Sequence, residues 1–194
     1  MAIDRKKIIN ELSGLQVRGD DQGLIPAYGV LVQRIPVSFW NGFSKAILDA
    51  AGDDVGDAAE GLLENAAAEC GYHTGHGIIT SEEFQAVVSP MVEKEPEDIL
   101  HGAYGVLTAW GWANAEITEL IPDEKMVIRA CDYYEHDMGP TKRPFAFMIR
   151  GVSRAFMDLA YGDPYPNGFG RFKCEQTRGI EVGDEYGEFV VTRA

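Results

Sequence analysis

The chain has 194 residues, 45% of them hydrophobic, which suits one domain with a sizeable core. Its 17 basic and 31 acidic residues give a formal net charge of −14, which repels phosphate backbones and anionic bilayers and argues against nucleic acid as a partner. Three cysteines make no disulfide framework, the N-terminus has no apolar leader-like run, and no uncharged apolar stretch of about 18 residues occurs, so a cytoplasmic protein with no membrane insertion is expected.

Residues 4–13 read as a short helix with Ile8, Ile9 and Leu12 on one side, and 13–23 as polar, irregular chain. Residues 1–27 therefore form an N-terminal helix and arm, and 28–194 a single domain. Tyr28 to Ile35 is a β-like run that Pro36 ends. Phe39, Trp40 and Phe43 open a helix through Ala51, and such aromatics are expected in the core. Asp53 or Asp54 can cap the next helix, whose stripe is Val55, Ala58, Ala59, Leu62, Leu63, Ala66 and Cys70. The small members of that stripe either pack closely or leave room beside a cavity.

The segment Cys70-Gly-Tyr-His73-Thr-Gly-His76-Gly77 has the most chemical character. Cys70 and His73 are three apart and can share a helical face; His76 follows before the glycines end the helix. One reading is a soft metal site or a thiol beside a base. The other is a buried cysteine at a glycine-rich helix exit. With no second ligand set evident, no metal is expected. Thr80-Ser-Glu-Glu83 resembles a capping box, Phe84, Val87, Val88 and Met91 follow at helical spacing, and Pro90 kinks or ends that helix. Glu93 to Asp98 is an acidic lead into the following helix.

From Asp98, Ile99, Leu100, Ala103, Tyr104, Leu107 and Trp110 share a helical face, and Gly111 is placed to end it. Ala113 to Ile121 and Met126 to Glu135 form a hairpin about the turn Pro122 to Lys125. Met126, Ile128 and Ala130 lie on one face, and Val127, Arg129, Cys131 and Tyr133 on the other, with neither marked as the buried one. Cys131 reads as a small hydrophobe or as a redox or metal residue. Tyr134 beside Glu135 can orient a polar group or act as an acid; the bland alternative is a strand end with solvated charges. Pro144 suits a first helical position, and Phe145, Met148, Ile149, Val152, Phe156, Leu159 and Ala160 trace an amphipathic helix. A loop follows from Tyr161 to Gly170, then strands over 171–177 and 185–192 with a turn at Gly183-Asp184. Helices around a hairpin-built sheet give an α+β fold with an antiparallel sheet. No nucleotide-binding glycine loop, hydrolase elbow or zinc-protease motif occurs.

The helix 98–112 with its Trp110-Gly-Trp112 exit, the hairpin after it, the helix 145–161 and the closing Gly179-Ile-Glu-Val-Gly-Asp-Glu-Tyr-Gly-Glu-Phe189 together resemble the 4-vinyl reductase domain family over residues 28–192. The resemblance implies an antiparallel sheet flanked by helices, as in subunits of the TRAPP transport-tethering complex, a homodimer, and a buried apolar channel for hydrocarbon, aromatic or tetrapyrrole-like molecules. In the phenol-sensing members it implies a zinc site of two cysteines and a glutamate, but the matching positions here are Gly179, Gly187 and Gln176, which cannot ligate zinc in the same way.

The leading expectation is thus a sensor or carrier domain for an apolar or aromatic small molecule. Its pocket would lie between helices and sheet and be lined by Tyr104, Trp110, Cys131, Tyr134, Phe147 and Phe156, with Cys70, His73 and His76 towards one end. An enzyme or accessory subunit of a reductase is the alternative, with Cys70, His73, Tyr134 and Glu135 as acid/base candidates; no motif supplies a hydride or electron source, so no resident cofactor is expected. A structural assembly protein is the third reading, and it predicts a broad exposed apolar patch.

Overall fold

The computed structural model describes residues 3–15, 18–138, 140–141 and 143–194, without the side chains of Asp53, Asp54 and Met138, so the cap expected at Asp53 or Asp54 lies outside the described residues. The helical elements are α1 (Arg5–Leu12), α2 (Val37–Thr80), α3 (Glu82–Val87), α4 (Glu97–Ala109) and α5 (Phe147–Tyr161). The strands are β1 (Pro26–Ala27), β2 (Val30–Leu31), β3 (Ala113–Ile121), β4 (Lys125–Tyr133), β5 (Phe172–Arg178) and β6 (Gly187–Arg193). Strands β3 to β6 form an antiparallel sheet in the order β3-β4-β6-β5. Helices α4 and α5 cover one face of it, and α2 packs on the far side of α5. This is the expected α+β architecture.

Helix α4 ends where its sequence says it should. Gly111 takes a left-handed φ of 75°, the Trp112 amide donates to the Leu107 carbonyl at 3.1 Å, and the Gly111 amide donates to the Thr108 carbonyl at 3.0 Å. This Schellman closure turns the chain directly into β3. In the hairpin, Met126, Ile128 and Ala130 form the buried face. Cys131 is the extra residue of a bulge, since Asn114 pairs with Asp132 but Ala115 with Ala130. The bulge moves Tyr133 onto the core face and leaves Cys131 exposed, so strict alternation misplaces Tyr133.

The expected strand over 28–35 is instead a miniature hairpin. Tyr28 and Gly29 both have positive φ, 51° and 71°, and form the two-residue turn between β1 and β2. Tyr28 packs edge-on against Trp110 at 4.6 Å. The hairpin lies on Gly77, where a Cβ would sit 2.7 Å from Val30 Cγ1.

Helix α2 breaks at Gly52 (φ 65°), so residues 37–51 form an arm, as the sequence suggests, but its second part runs on to Thr80. The glycines of the Cys70–Gly77 segment do not end the helix; they let neighbours approach it. A Cβ at Gly71 would lie 3.0 Å from Val152 Cα, and one at Gly75 would lie 2.8 Å from Leu159 Cδ1. On α5, a Cβ at Gly151 would meet the Glu64 carbonyl oxygen at 2.5 Å and the Ala68 amide nitrogen at 2.6 Å. Backbones this close select the smallest side chains on the inner face of α2. That face is Leu63, Ala67, Ala68, Tyr72 and Ile78 with the glycines, whereas Val55, Ala58, Leu62, Ala66 and Cys70 of the expected stripe are exposed. The small residues are there for close packing.

Other corrections follow the same logic of who is already covered. Phe39, Trp40 and Phe43 are 52%, 41% and 49% exposed rather than core, because the arm docks through Ile47 and Leu48 on Leu63, Phe145 and Phe147. Ser81, not Thr80, caps α3, accepting from the Phe84 amide at 3.2 Å. Pro144 lies ahead of α5, whose first residue is Phe147.

Both ends of α5 are tied by buried carboxylates. At its C-terminal end Asp158, with no exposed surface, accepts from the amides of Gly170, Arg171 and Phe172 at 3.0, 2.8 and 3.1 Å and fixes the loop 162–170. Asp158→Ala is expected to cost about 3 kcal/mol in urea unfolding, because buried donors lose their acceptor. Gly151→Ala is expected to cost at least about 3 kcal/mol through backbone overlap, whereas Gly61→Ala, in open helix surface, gains about 0.5–1 kcal/mol; equal effects would show that the α2–α5 contact is looser than described.

Candidate ligand-binding site

Three helices leave an apolar recess of about 70 Å³ between them. Its walls are Gly75 and Ile79 from α2, Ile99, Leu100 and Ala103 from α4 with Pro96 ahead of it, and Phe156, Leu159 and Ala160 from α5. Gly75 lets Phe156 and Leu159 come in close and sets the depth at that wall. Ile79, Ile99, Leu159 and Ala160 are only partly buried, so the recess opens outward between the helices rather than inward over the sheet. Tyr104 stands behind Phe156, with ring centroids 5.7 Å apart, and donates its hydroxyl hydrogen to Ser153 Oγ at 2.8 Å. Burial pushes the Tyr104 phenol far above its ordinary range, so it acts only as a neutral donor.

Beside the recess, the loop 162–170 folds against α2 around Tyr72, His73 and His76. Tyr165 stacks on His76 with centroids 3.8 Å apart, and its hydroxyl meets His73 Nδ1 at 2.8 Å. The Gly168 amide donates to Tyr72 Oη at 3.1 Å. His73 and His76 are therefore the seat of the loop. Cys70 is exposed and lies 3.8 Å, Sγ to Oγ1, from Thr74.

The start of α5 holds a dense buried polar cluster. Glu135, 3% exposed, accepts from the Met148 amide at 2.9 Å and the Ile149 amide at 3.2 Å. Glu181, 4% exposed, accepts from the Phe145 amide at 3.1 Å, from Gln176 Nε2 at 2.8 Å and from the Tyr133 hydroxyl. Gln176 Oε1 accepts from the Ala146 amide at 2.9 Å. The α5 amides of Met148 and Ile149 are thus capped by Glu135 rather than by the N-cap residue Ala146, and the two amides just ahead of the helix, Phe145 and Ala146, by Glu181 and Gln176. Burial raises the Glu135 carboxyl to about 8, with the two amides opposing and Glu181 reinforcing. Burial, then Glu181, pushes the Tyr133 phenol up as well. The positions that the resemblance assigns to zinc ligands meet here. A Cβ at Gly187 would lie 2.7 Å from Tyr133 Cε1, and one at Gly179 would lie 2.8 Å from the Glu181 carboxylate, so the Tyr133–Glu181–Gln176 cluster fills that space. Among the described residues, no group of three or more His, Cys, Asp or Glu side chains is arranged to hold a metal ion.

Of the residues singled out in the sequence, Phe156 lines the recess and Tyr104 backs it. Trp110 packs on Tyr28, Phe147 on Phe145 and the arm, and Cys131 faces away on the bulge. Tyr134 is half-buried against Trp112, its carbonyl accepting from Asn41 Nδ2 at 2.9 Å, with Cys70 within electrostatic reach of its hydroxyl. Glu135 is not a solvated strand end, and both its oxygens are occupied by amides. The four acid/base candidates are not gathered around one point, because His73 is engaged with Tyr165. Sequence reasoning missed every recess wall but Phe156, Ile79 and Pro96 among them; the only local signal was a glycine and alanine content that is equally a sign of close packing.

No protein-family model matches the chain, and no curated protein matches its sequence. Solved structures do match. The phenol-responsive sensory domain of the transcription activator PoxR, crystallised with phenol, superposes with a TM-score of 0.73 at 12% identity, covering 100% of this chain and 92% of that one. A trafficking protein particle complex subunit 3 from Naegleria fowleri, covalently bound to palmitic acid, gives 0.55 at 16% identity, over 81% and 95% of the two chains. A vinyl-4-reductase family protein from Methanocaldococcus jannaschii gives 0.51 at 14% identity, over 84% of each. The fold of this chain is therefore the one shared by 4-vinyl-reductase-type domains and transport-particle subunits, as the sequence resemblance implied.

Proposed function

We propose that this chain is a binding domain for a small apolar or aromatic molecule, in a sensor or carrier role, with its site at the recess between α2, α4 and α5. The observation that carries the reading is the recess itself, whose nine lining residues are all apolar. Neighbours of the same fold hold phenol and palmitic acid, which supports it. At about 70 Å³ the recess is half the size of the roughly 150 Å³ cavities that accept benzene. An alkyl end or methyl-bearing edge fits as it stands; a ring enters when Leu159 or Ile79, both partly exposed, swings outward. Burial of apolar ligand surface supplies the free energy, about 25 cal/mol per Å².

In this reading residues 1–27 are a helix and arm attached to one binding domain, 28–194. Tyr104 and Phe156 belong to the site's inner wall, and Cys70, His73 and His76 to its outer approach beside the 162–170 loop. The exposed row Val37, Phe39, Trp40, Phe43, Val55 and Leu62 on α2 supports a homodimer. Three free cysteines support a reducing, cytoplasmic setting, and no described helix is long and apolar enough to cross a membrane.

Organic extraction of the purified protein, followed by mass spectrometry, tests the reading without choosing a ligand. A titration with phenol and with short alkanols is expected to raise the melting temperature, by up to about 2.7 kcal/mol of stabilisation at a hundredfold excess over Kd. Ala103→Leu fills the recess and is expected to abolish that rise while the circular dichroism spectrum stays unchanged. An undiminished rise in this variant moves the site elsewhere, and no rise with any probe, with nothing extracted, ends the proposal.

A further inference from the structure

A second hollow lies outside the three-helix recess. It is an open cleft of about 570 Å³. One wall is the chain leaving α1, Ser13, Gly14 and Leu15; the other is Ile25 ahead of β1 and Arg34 after β2, with Arg18 and Gly19 completing the lining. Hydrogen bonds hold these walls in place. The Ser13 amide donates to the Ile9 carbonyl at 2.9 Å and the Leu15 amide to the Leu12 carbonyl at 3.3 Å, so two of the last carbonyls of α1 are already taken. Asp20 closes the loop to Leu24: its amide donates to the Leu24 carbonyl at 2.7 Å, and its Oδ1 accepts from the amides of Gln22 and Leu24 at 2.9 and 2.8 Å. That turn folds Gly19 back on Ile25, where a Cβ on Gly19 would lie 4.0 Å from Ile25 Cγ1. The Val32 amide donates to the Ile25 carbonyl at 2.9 Å and fixes the strand exit that carries Arg34. Leu12, Ala27 and Tyr28, buried in one cluster, anchor both walls to the core.

The charge in this cleft runs against that of the chain. No lining residue is acidic and two are arginines, in a protein with 31 acidic and 17 basic residues. Two acids close by in sequence are occupied elsewhere: Glu11 pairs with Lys7 at 4.0 Å, and Asp20 is turned to the amides of its own loop. Arg18 and Arg34 also have partners within the protein, but a guanidinium carries five donors in a planar fork and holds an internal partner and an oxyanion together. We propose that the cleft is a binding site for a small organic oxyanion, its carboxylate or phosphate head taken by Arg18 and Arg34 and its apolar body laid against Leu15 and Ile25. The paired oxygens of either head match the fork. The overall charge of −14 slows the approach of an anion, and the local arginine pair decides whether it stays. No residue of α2, α4 or α5 lines the cleft, so this site and the apolar recess stand or fall separately.

The test is an NMR titration with three probes of similar size: benzoate, phenyl phosphate and benzyl alcohol. The amides of Gly14 and Gly19 report on the cleft, and those of Gly75 and Ala103 on the recess. At least one of the two anions is expected to shift Gly14 and Gly19 saturably in the millimolar range, while benzyl alcohol leaves both unmoved. A response to benzoate alone or to phenyl phosphate alone assigns the head group. Arg18→Gln and Arg34→Gln are each expected to weaken that binding at least about tenfold, because each removes one charged fork. Both arginines are exposed, so neither change disturbs the core, and the dispersion of the amide spectrum checks it. No saturable shift at Gly14 and Gly19 with either anion overturns the site, as does an equal shift with benzyl alcohol or undiminished binding when both arginines are replaced by glutamine. Should a variant fail to fold, the unaltered protein decides alone: anion shifts confined to residues away from the cleft overturn the proposal.

Discussion

Everything in this fold is arranged around a backbone-to-backbone contact between α2 and α5 at Gly151. With the Glu64 carbonyl and the Ala68 amide so close that no Cβ fits, α2 presents only small groups there and turns its larger side chains outward. The contact makes α5 a middle layer, with the sheet on one side and α2 on the other. A helix in that position cannot leave its terminal amides to water. Glu135 therefore caps the first amides, and at the other end Asp158 holds the following loop through that loop's own amides. Charged side chains at the edge of the same contact, Arg150 and Arg154 with Glu64, seal it against solvent.

What the sequence made legible was what depends on local geometry. The α4 helix, its Gly111 exit and the following hairpin were readable because each rests on periodicity or on a conformation that glycine permits. The same holds for the break between the arm and the rest of α2, since Gly52 carries it. The fold itself was readable through resemblance. What misled was any inference about which side of an amphipathic element faces inward. Leu62 and Val55 look like core by hydropathy, yet the approach of α5 reserves the inner face for Ala67, Ala68 and Gly71. Phe39, Trp40 and Phe43 look like core for the same reason and are exposed. Tyr133 was misplaced because a single extra residue, Cys131, shifts the alternation.

The polar cluster at the start of α5 was illegible for a different reason. Its members lie between 13 and 36 positions from the amides they cap, so no spacing rule brings them together. Glu135 carried a local signal, its neighbour Tyr134, but that signal pointed towards a reactive surface group. Glu181 sat inside a stretch that otherwise reads as a turn. Only the tertiary path shows that both serve the same helix terminus. The recess was hidden likewise: its walls come from three helices, and each wall residue alone is an ordinary apolar position.

The recess and the Glu135 cap share α5 but occupy different ends of it. Phe156 and Met148 are eight residues apart, about 12 Å along the axis at 1.5 Å per residue. Between them sits Gly151, pinned on the α2 backbone. Sliding α5 along its axis would drive that contact into overlap, so the helix cannot serve as a piston between the two sites. A ligand wedged beside Leu159 can move α2 and α4 apart locally without disturbing the amides of Met148 and Ile149. Towards the start of α5, the arm meets the Tyr134–Met138 turn through the Asn41–Tyr134 hydrogen bond and rests on Phe145 and Phe147 through Ile47 and Leu48. Physical coupling between sites requires an element with two arrangements that both sites bias. In this molecule the element with a joint and a small docking surface is the arm, and its exposed aromatics are what a change in its position would present to a neighbouring molecule.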